Sequence, residues 1–533
     1  MKELLSEHRV LFEKGCDFVA LFFLDTYQIT ACLCSPREHK GANYSIDSEV
    51  KSADVFYRMQ KNVGGRDYYF NFFKLQAKGA CRISFEDLPV TSASQFPVSV
   101  ALRSYATVND LVAYTEGNAL VFATPGQKLL KSLKKAHRAA RKASLKRAGL
   151  GTRLKVCFIR TLHTLLRPFF KKEMWLIADR CQGAGDNGQA FFEHLCKNPP
   201  CGIKPYFVIN KNSPDYRKMK KIGRVISPRT LKFKLYSTLA TRVIASQLEY
   251  DIVNPFSFDI YLKDILEKRK IVFLQHGIIK DDLSKTYNRY ERRIDMFVTS
   301  TEAEYGSIVN SPAYGFDKNT VKLTGLARYD KLVSDTEKII FIAPSWRKYC
   351  LKSTDTRELI PDFKNSAFFK FYNELLHSKK LIDTAQKYGY SLCFYPHFLL
   401  GSCKDEIGAL DPVYINGDGF TYRDVFKKGA LLLTDYSSVQ FDFAYLKKPV
   451  IYCQFDKEEF FETHNYVPGY FSYERDGFGP ITDNVSDTVF LLCRYMENGC
   501  RLESEYENRI NKTFKYNDRN NCERILTEVL KIK

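Results

Sequence analysis

The sequence predicts an α/β protein in which two Rossmann-like domains face a cleft, preceded by a small β-rich domain and basic amphipathic helices. Three observations carry this. At 533 residues the chain is too long for one core, because domains run at roughly 100–200 residues each. After residue 172 apolar runs alternate with helical stretches in two successive series, the pattern of parallel strands joined by crossover helices. A segment without any acidic residue separates those series from the N-terminal part.

Hydrophobic residues make up 45% of the chain and charged residues 27%, which excludes disorder as the main state. Residues 1–116 contain short strand-like runs, Phe18 to Leu24, Tyr68 to Leu75 and Val98 to Leu102, punctuated by Gly64-Gly65 and Pro97. The run Phe18 to Leu24 is far short of the ~20 residues of a membrane-spanning helix. Met1 to Phe12 carries Glu3 and Glu7 where a secretory peptide would be basic and then apolar, so the chain is expected to stay in the cytosol. Fifteen cysteines without a CxxC pair agree with free thiols, and Cys181, Cys196 and Cys201 lack the spacing of a zinc site.

The chain has 81 basic against 61 acidic residues, and residues 117–172 hold 15 Lys and Arg with no acid, three quarters of the net charge of +20. In this belt Leu129, Leu133, Ala136, Ala140 and Ala143 recur at helical spacing. After Gly149 and Gly151 come Leu154, Phe158, Leu162, Leu165 and Phe169. Two basic amphipathic helices lying on an anionic membrane surface are the expected outcome; a solvated linker packed on its own protein is the competing one. No nucleic acid is expected as partner, because the aromatics near the belt fall on its apolar stripe and form no stacking platform.

The strand-like runs of the first series, residues 173–335, are Met174 to Ala178, Tyr206 to Ile209, Val243 to Ala245, Ile271 to Leu274 and Met296 to Val298. Those of the second, residues 336–533, are Ile339 to Ala343, Leu392 to Tyr395, Leu431 to Thr434 and Val450 to Tyr452. Gly183 to Gly188 fits GxGxxG, but the next strand ends at Asn210 without a ribose-binding acid and Asp186 would repel a pyrophosphate. It reads as a turn or acceptor-side loop. Four strand ends carry polar residues where open sheets bind ligands: Gln275-His276-Gly277, Pro344-Ser345-Trp346-Arg347, Tyr395-Pro396-His397 and Thr434-Asp435-Tyr436-Ser437-Ser438. Gly277 permits close backbone approach. Ser437 and Ser438 offer donors for a phosphate or, more blandly, a helix cap, and Asp442 could reach a ribose or complement the helix dipole.

As a set, His276-Gly277, Thr324 to Asp330 (TGLARYD), Ala343 to Arg347, Pro396-His397 and Thr434 to Ser438 with Phe441-Asp442-Phe443 and Lys448 to Tyr452 resemble the CDP-glycerol glycerophosphotransferase family, the teichoic acid and capsule polymerases of bacteria. The resemblance spans about residues 173–490 and implies a GT-B arrangement with peripheral attachment to the cytoplasmic face of the membrane. It implies transfer of an alditol phosphate, glycerol phosphate foremost, from CDP-glycerol or CDP-ribitol to a polymer or lipid-linked acceptor hydroxyl with release of CMP. His276 would be the base, His397 and Arg347 would hold the pyrophosphate, and Gly277, Ser345, Asp435, Ser437, Ser438 and Asp442 would line the substrate site. No obligatory metal or cofactor is expected, and no DxD-type carboxylate pair stands at these strand ends, although Asp281-Asp282 could coordinate a metal. The family's HGT continues here as Ile278-Ile279-Lys280, its Lys before Pro-His is Tyr395, and the arginine before Gly469-Tyr470 is absent. A nucleotide-sugar glycosyltransferase of the same fold, and more remotely a basic nucleic-acid-binding protein, are the alternatives.

Overall fold

The computed structural model describes residues 10–532 apart from 15–16, 24–27, 37, 64, 77–79, 86–104, 109–110, 117–118, 354–355 and 465–466. The expected run Val98 to Leu102 lies outside the described residues, as does most of Met1 to Phe12.

Ten described strands, Val10–Lys14, Asp17–Phe23, Gln28–Ser35, Gly41–Ile46, Glu49–Val63, Arg66–Gln76, Cys81–Phe85, Tyr105–Val108, Leu111–Glu116 and Ala119–Ala123 (β1–β10), form one sheet in the order β1-β2-β3-β6-β5-β4-β7-β10-β9-β8. The pairs β2·β3, β3·β6 and β5·β6 are antiparallel. Phe70, Phe72, Phe73 and Leu75 of β6 are buried. The sheet meets the rest of the chain at Tyr290, whose ring lies 4.0 Å from Phe72 and 5.8 Å from Tyr57, beside an ion pair of Lys61 with Glu291.

The basic belt forms helices α1 (Gln127–Arg147) and α2 (Leu150–Leu166). The face that packs on the protein is not the stripe picked out by spacing. Val156 and Ile159 are buried against Phe256, Phe258, Leu262, Ile265 and Leu266, and Asp264 takes Arg160 at 2.7 Å and Arg141 at 3.0 Å. Leu154, Phe158, Leu165 and Phe169 stay outside, 63%, 51%, 61% and 79% exposed. Apolar spacing identifies a helix face but not which of two such faces meets protein.

Strands Glu173–Ala178, Ile203–Val208, Val225–Ile226, Arg242–Ala245, Lys270–Phe273, Met296–Thr299 and Val321–Leu323 (β11–β17) form a parallel sheet ordered β13-β12-β11-β14-β15-β16-β17. Helices α3 (Asn187–Lys197) and α4 (Glu302–Val309) follow β11 and β16. Strands Ile339–Ile342 (β18), Ser391–Phe394 (β21), Gly429–Thr434 (β22), Val450–Cys453 (β23) and Ile481–Thr482 (β24) form a second sheet ordered β21-β18-β22-β23-β24, while Leu351–Ser353 (β19) and Glu358–Leu359 (β20) make a separate ladder. The pairs of the five-stranded sheet are parallel. Strands such as Met174 to Ala178 and Leu431 to Thr434 are buried throughout, as expected for parallel sheets covered on both faces. The short strands β13, β17 and β24 were not anticipated, since two or three residues carry no periodicity.

Helix α5 (Val439–Tyr445) follows β22, and α6 (Val485–Glu497) and α7 (Ser504–Thr513) precede α8 (Asn521–Lys531), which returns to the first sheet. Asp330 accepts Asn521 N at 2.8 Å and Cys522 N at 2.7 Å, and Arg242 Nε donates to Val529 O at 3.3 Å. Among the described residues no helix is long and apolar enough to cross a membrane.

Candidate active site where the two sheet edges meet

The carboxyl ends of the two parallel sheets meet at His276-Gly277 and Ser437-Ser438. A Cβ placed on Gly277 would stand 3.1 Å from Ser438 Oγ, so a glycine there lets the two edges approach. Below, Asp282 N donates to Val467 O at 2.8 Å, and a Cβ on Gly469 would collide with Lys280 O at 2.4 Å.

His276 is presented by a strained turn. Gln275 has φ of 64°, a left-handed backbone that costs a non-glycine residue about 1–3 kcal/mol and persists only when its surroundings hold it. They do: Asn187 Nδ2 donates to Gln275 O at 2.8 Å, and Gln275 Nε2 donates to Val298 O at 2.5 Å and Glu304 Oε1 at 3.0 Å. Glu304 also accepts Ile279 N and Ser300 N, both at 2.7 Å; burial pushes its carboxyl up to about 7 against the opposing pull of these bonds.

The imidazole, 59% exposed, hydrogen-bonds through Nδ1 to Asp186 Oδ2. Burial raises the Asp186 carboxyl, but Arg328 and His276 outweigh it and hold the group below its ordinary value. A carboxylate only accepts, so Nδ1 carries a proton, and in the neutral ring Nε2 is the basic nitrogen. The GxGxxG-like loop thus serves the histidine: it wraps Asp179, which accepts Gly188 N at 2.6 Å, Asp186 N at 3.0 Å and Ser246 Oγ at 2.6 Å. Burial and the Asp186 charge push Asp179 up to about 6. Asp186 escaped sequence reasoning as a site residue although an Asp after a glycine turn at a strand end was its signal.

Arg328, given no role from sequence, ties both sheets together. It pairs bidentately with Asp442 at 2.7 and 2.8 Å, with Asp186 at 2.7 Å, and donates to His276 O at 2.5 Å. Asp442 is therefore not free to meet a ribose: it is 1% exposed and belongs to this bridge. In the same TGLARYD segment Tyr329 stacks on Tyr445 at 4.2 Å and Asp330 holds the start of α8, so one motif aligns the site and the returning helix.

Arg347 is likewise corrected. Its side chain is fully buried, gripping Asp456 at 2.5 and 3.0 Å and Asp435 at 2.8 Å, and it cannot hold a pyrophosphate in this arrangement. Burial opposes its charge, but the two carboxylates raise its pKa well above the ordinary value. Asp435 is fully used too, accepting Ser345 N at 3.0 Å and Tyr436 N at 2.6 Å, and is no substrate contact. Ser345, half-buried, is held by its backbone N–H, which donates to Asp435.

His397 stays at the edge, half-buried, with Leu399 N donating to its Nδ1 at 3.3 Å, so its Nε2 carries the proton. Burial and the nearby Arg180 lower it to about 4 despite Asp435, which leaves it neutral at pH 7. Ser438 makes no side-chain cap bond and Ser437 Oγ accepts only Val439 N at 3.3 Å, so the plain capping reading holds for neither at full strength. Among the described residues no group of three His, Cys, Asp or Glu side chains is arranged to hold a metal.

Residues 159–531 match the CDP-glycerol:poly(glycerophosphate) glycerophosphotransferase family. The chain is 33% identical over 81% of its length to the minor teichoic acid biosynthesis protein GgaB of Bacillus subtilis (strain 168), covering 48% of that protein. It is 24% identical over 47% of its length to a teichoic acid poly(glycerol phosphate) polymerase of Staphylococcus epidermidis, covering 34% of it. The chain thus spans about half or less of the length of these curated relatives. A solved variant of the wall teichoic acid polymerase TagF shares the fold, with TM-score 0.51 at 15% identity, covering 75% of this chain and 98% of that one.

Proposed function

Because the chain belongs to the CDP-glycerol:poly(glycerophosphate) glycerophosphotransferase family, we propose that it transfers an alditol phosphate, glycerol phosphate foremost, from a CDP-alditol to an acceptor hydroxyl and so extends a teichoic-acid-like or capsular phosphodiester polymer. The observation that carries the reading is the Asp186-bound His276 at the end of its strand, next to Gly277, whose backbone approaches Ser438. We read residues 173–335 as the acceptor-side domain and 336–533 as the CDP-alditol domain of a GT-B arrangement, behind units at 1–116 and 117–172.

In the reaction the acceptor oxygen bonds to the alditol-bearing phosphorus, the bond from that phosphorus to the bridging oxygen breaks, and CMP leaves with the electron pair. The hydroxyl proton passes to His276 Nε2. With Arg347 and Arg328 engaged by carboxylates and Tyr395 uncharged, cationic support for the phosphates falls to Arg180, exposed at the end of β11 and close enough to His397 to depress its pKa. Neutral His397 supplies an Nε2–H donor, and Ser437 and Ser438 supply hydroxyls.

Incubation with CDP-glycerol and CDP-ribitol in parallel tests the reading through CMP release, with phosphorus NMR of the product showing phosphodiesters. Release of CMP without new phosphodiesters, or no release with either donor, would reject it. Ser437→Ala with Ser438→Ala is expected to weaken donor binding while changing the melting temperature by less than a full helix cap of about 1 kcal/mol would. A lowered melting temperature at unchanged donor affinity would return both serines to a structural role.

The exposed Leu154, Phe158, Leu165 and Phe169, beside the basic residues of α1 and α2, support attachment to an anionic membrane surface. Replacing Lys131, Lys134, Lys135, Arg138, Arg141 and Lys142 with Gln is expected to release the protein from anionic liposomes, at about 1 kcal/mol per basic residue in contact, and added salt should do the same. Arg141 also pairs with Asp264, so the other five alone serve as the control for lost packing. Equal sedimentation with neutral and anionic lipid would refute an electrostatic anchor.

A further inference from the structure

Beyond the end of β12 lies a pocket of about 560 Å³ lined by Lys211, Ser213, Pro214, Tyr216, Arg217 and Lys220. Three of the six are cations and none is an acid. Lys211, Arg217 and Lys220 are exposed, and among the described residues none of them is in an ion pair. The nearest acid in sequence, Asp215, is not part of the lining and accepts Ala184 N at 3.0 Å. Some surface cations are matched, as Arg229 is by Asp251 at 2.6 Å and Lys331 by Glu193, whereas the three cations of this pocket converge on one cavity without an acid in its lining.

The pocket is joined to the chemistry. The Asp215 bond grips the 183–188 loop, whose Asp186 holds His276, and Lys218 Nζ reaches Gln189 Oε1 at 3.3 Å on the helix that follows the loop. All strands of the sheet run parallel, so the pocket and His276 lie on the same edge, at the ends of β12 and β15 with β11 and β14 between. Three strand spacings separate those two strand ends by about 14 Å. A glycerol phosphate repeat has six backbone bonds, as many as two amino-acid residues, and so extends about 7 Å.

We propose that this pocket is an acceptor subsite that binds a phosphodiester of the growing polymer, about two repeats behind the hydroxyl that attacks at His276. This rests on the glycerophosphotransferase reading and deepens it: a polymer with one negative charge per repeat is held by unmatched cations in register with the reacting end. The site would make the enzyme favour acceptors long enough to reach it.

The test uses the full chain with CDP-glycerol and synthetic acceptors of one to six glycerol phosphate units, compared for wild type and the Lys211→Gln, Arg217→Gln, Lys220→Gln variant. For wild type kcat/KM should step up once the acceptor gains its second or third phosphodiester. In the variant the ratio between the six-unit and one-unit acceptors should fall about tenfold, since exposed charge contacts are each worth up to about 1 kcal/mol. An unchanged ratio would overturn the proposal. A second arm needs no turnover: fluorescence anisotropy of a labelled six-unit oligomer should show weaker binding to the variant, with inorganic phosphate, anionic vesicles and an oligonucleotide of equal charge as competitors. Displacement by vesicles would assign the pocket to lipid headgroups, and equal displacement by the oligonucleotide at physiological salt would make it an unspecific polyanion patch; either overturns the proposal. Loss of all CMP release with intact oligomer binding would instead overturn the transferase reading and leave the pocket standing.

Discussion

Replacing His276 with alanine is expected to lower kcat for CMP release by about 100- to 10,000-fold, the usual share of a positioned general base. The melting temperature should hardly move, because the side chain is 59% exposed and packs in no core. Asp186→Asn should reproduce part of that loss. The amide can donate to Nδ1, which favours the tautomer whose Nε2 already bears a proton and cannot accept another. Since Asp186 acts through His276, the double variant should be no slower than His276→Ala alone. Turnover surviving in His276→Ala would remove the base assignment. Additive losses would show that Asp186 works on the substrate or the fold independently.

Arg347→Ala should be the most damaging change to stability, about 3–5 kcal/mol, because it leaves Asp435 and Asp456 buried and uncompensated. Tyr349 Oη and Tyr436 N would still donate to those carboxylates at 2.5 and 2.6 Å, but neutral donors do not replace the guanidinium. Arg347→Met combined with Asp435→Asn and Asp456→Asn should be less destabilised than Arg347→Ala, since the charges leave together. Urea unfolding of the three proteins checks this. A single variant that keeps its midpoint and loses only donor affinity would restore the direct phosphate contact that the burial of Arg347 argues against.

The two sheets were legible because parallel strands are buried on both faces and therefore stand out as unbroken apolar runs: Met174 to Ala178, Ile271 to Leu274 and Leu431 to Thr434 each mark a strand within a residue or two. His276, His397 and the serine pair were legible for a related reason, since polar residues that end such runs lie on the ligand-binding edge. Charge partners were not. Nothing local distinguishes Arg347, sealed between Asp435 and Asp456, from an arginine open to a phosphate, and Asp442 meets Arg328 from 114 positions away. Asp186 looked unsuited to a phosphate loop, and only the tertiary structure turned its carboxylate onto His276. The sequence by itself determined which segments become strands and which polar residues reach their edge, because hydrophobic periodicity is a local property. Which cation is neutralised, which histidine is oriented and which face of α2 meets protein were decided by the tertiary structure, because ion pairing and burial depend on residues that only folding brings together.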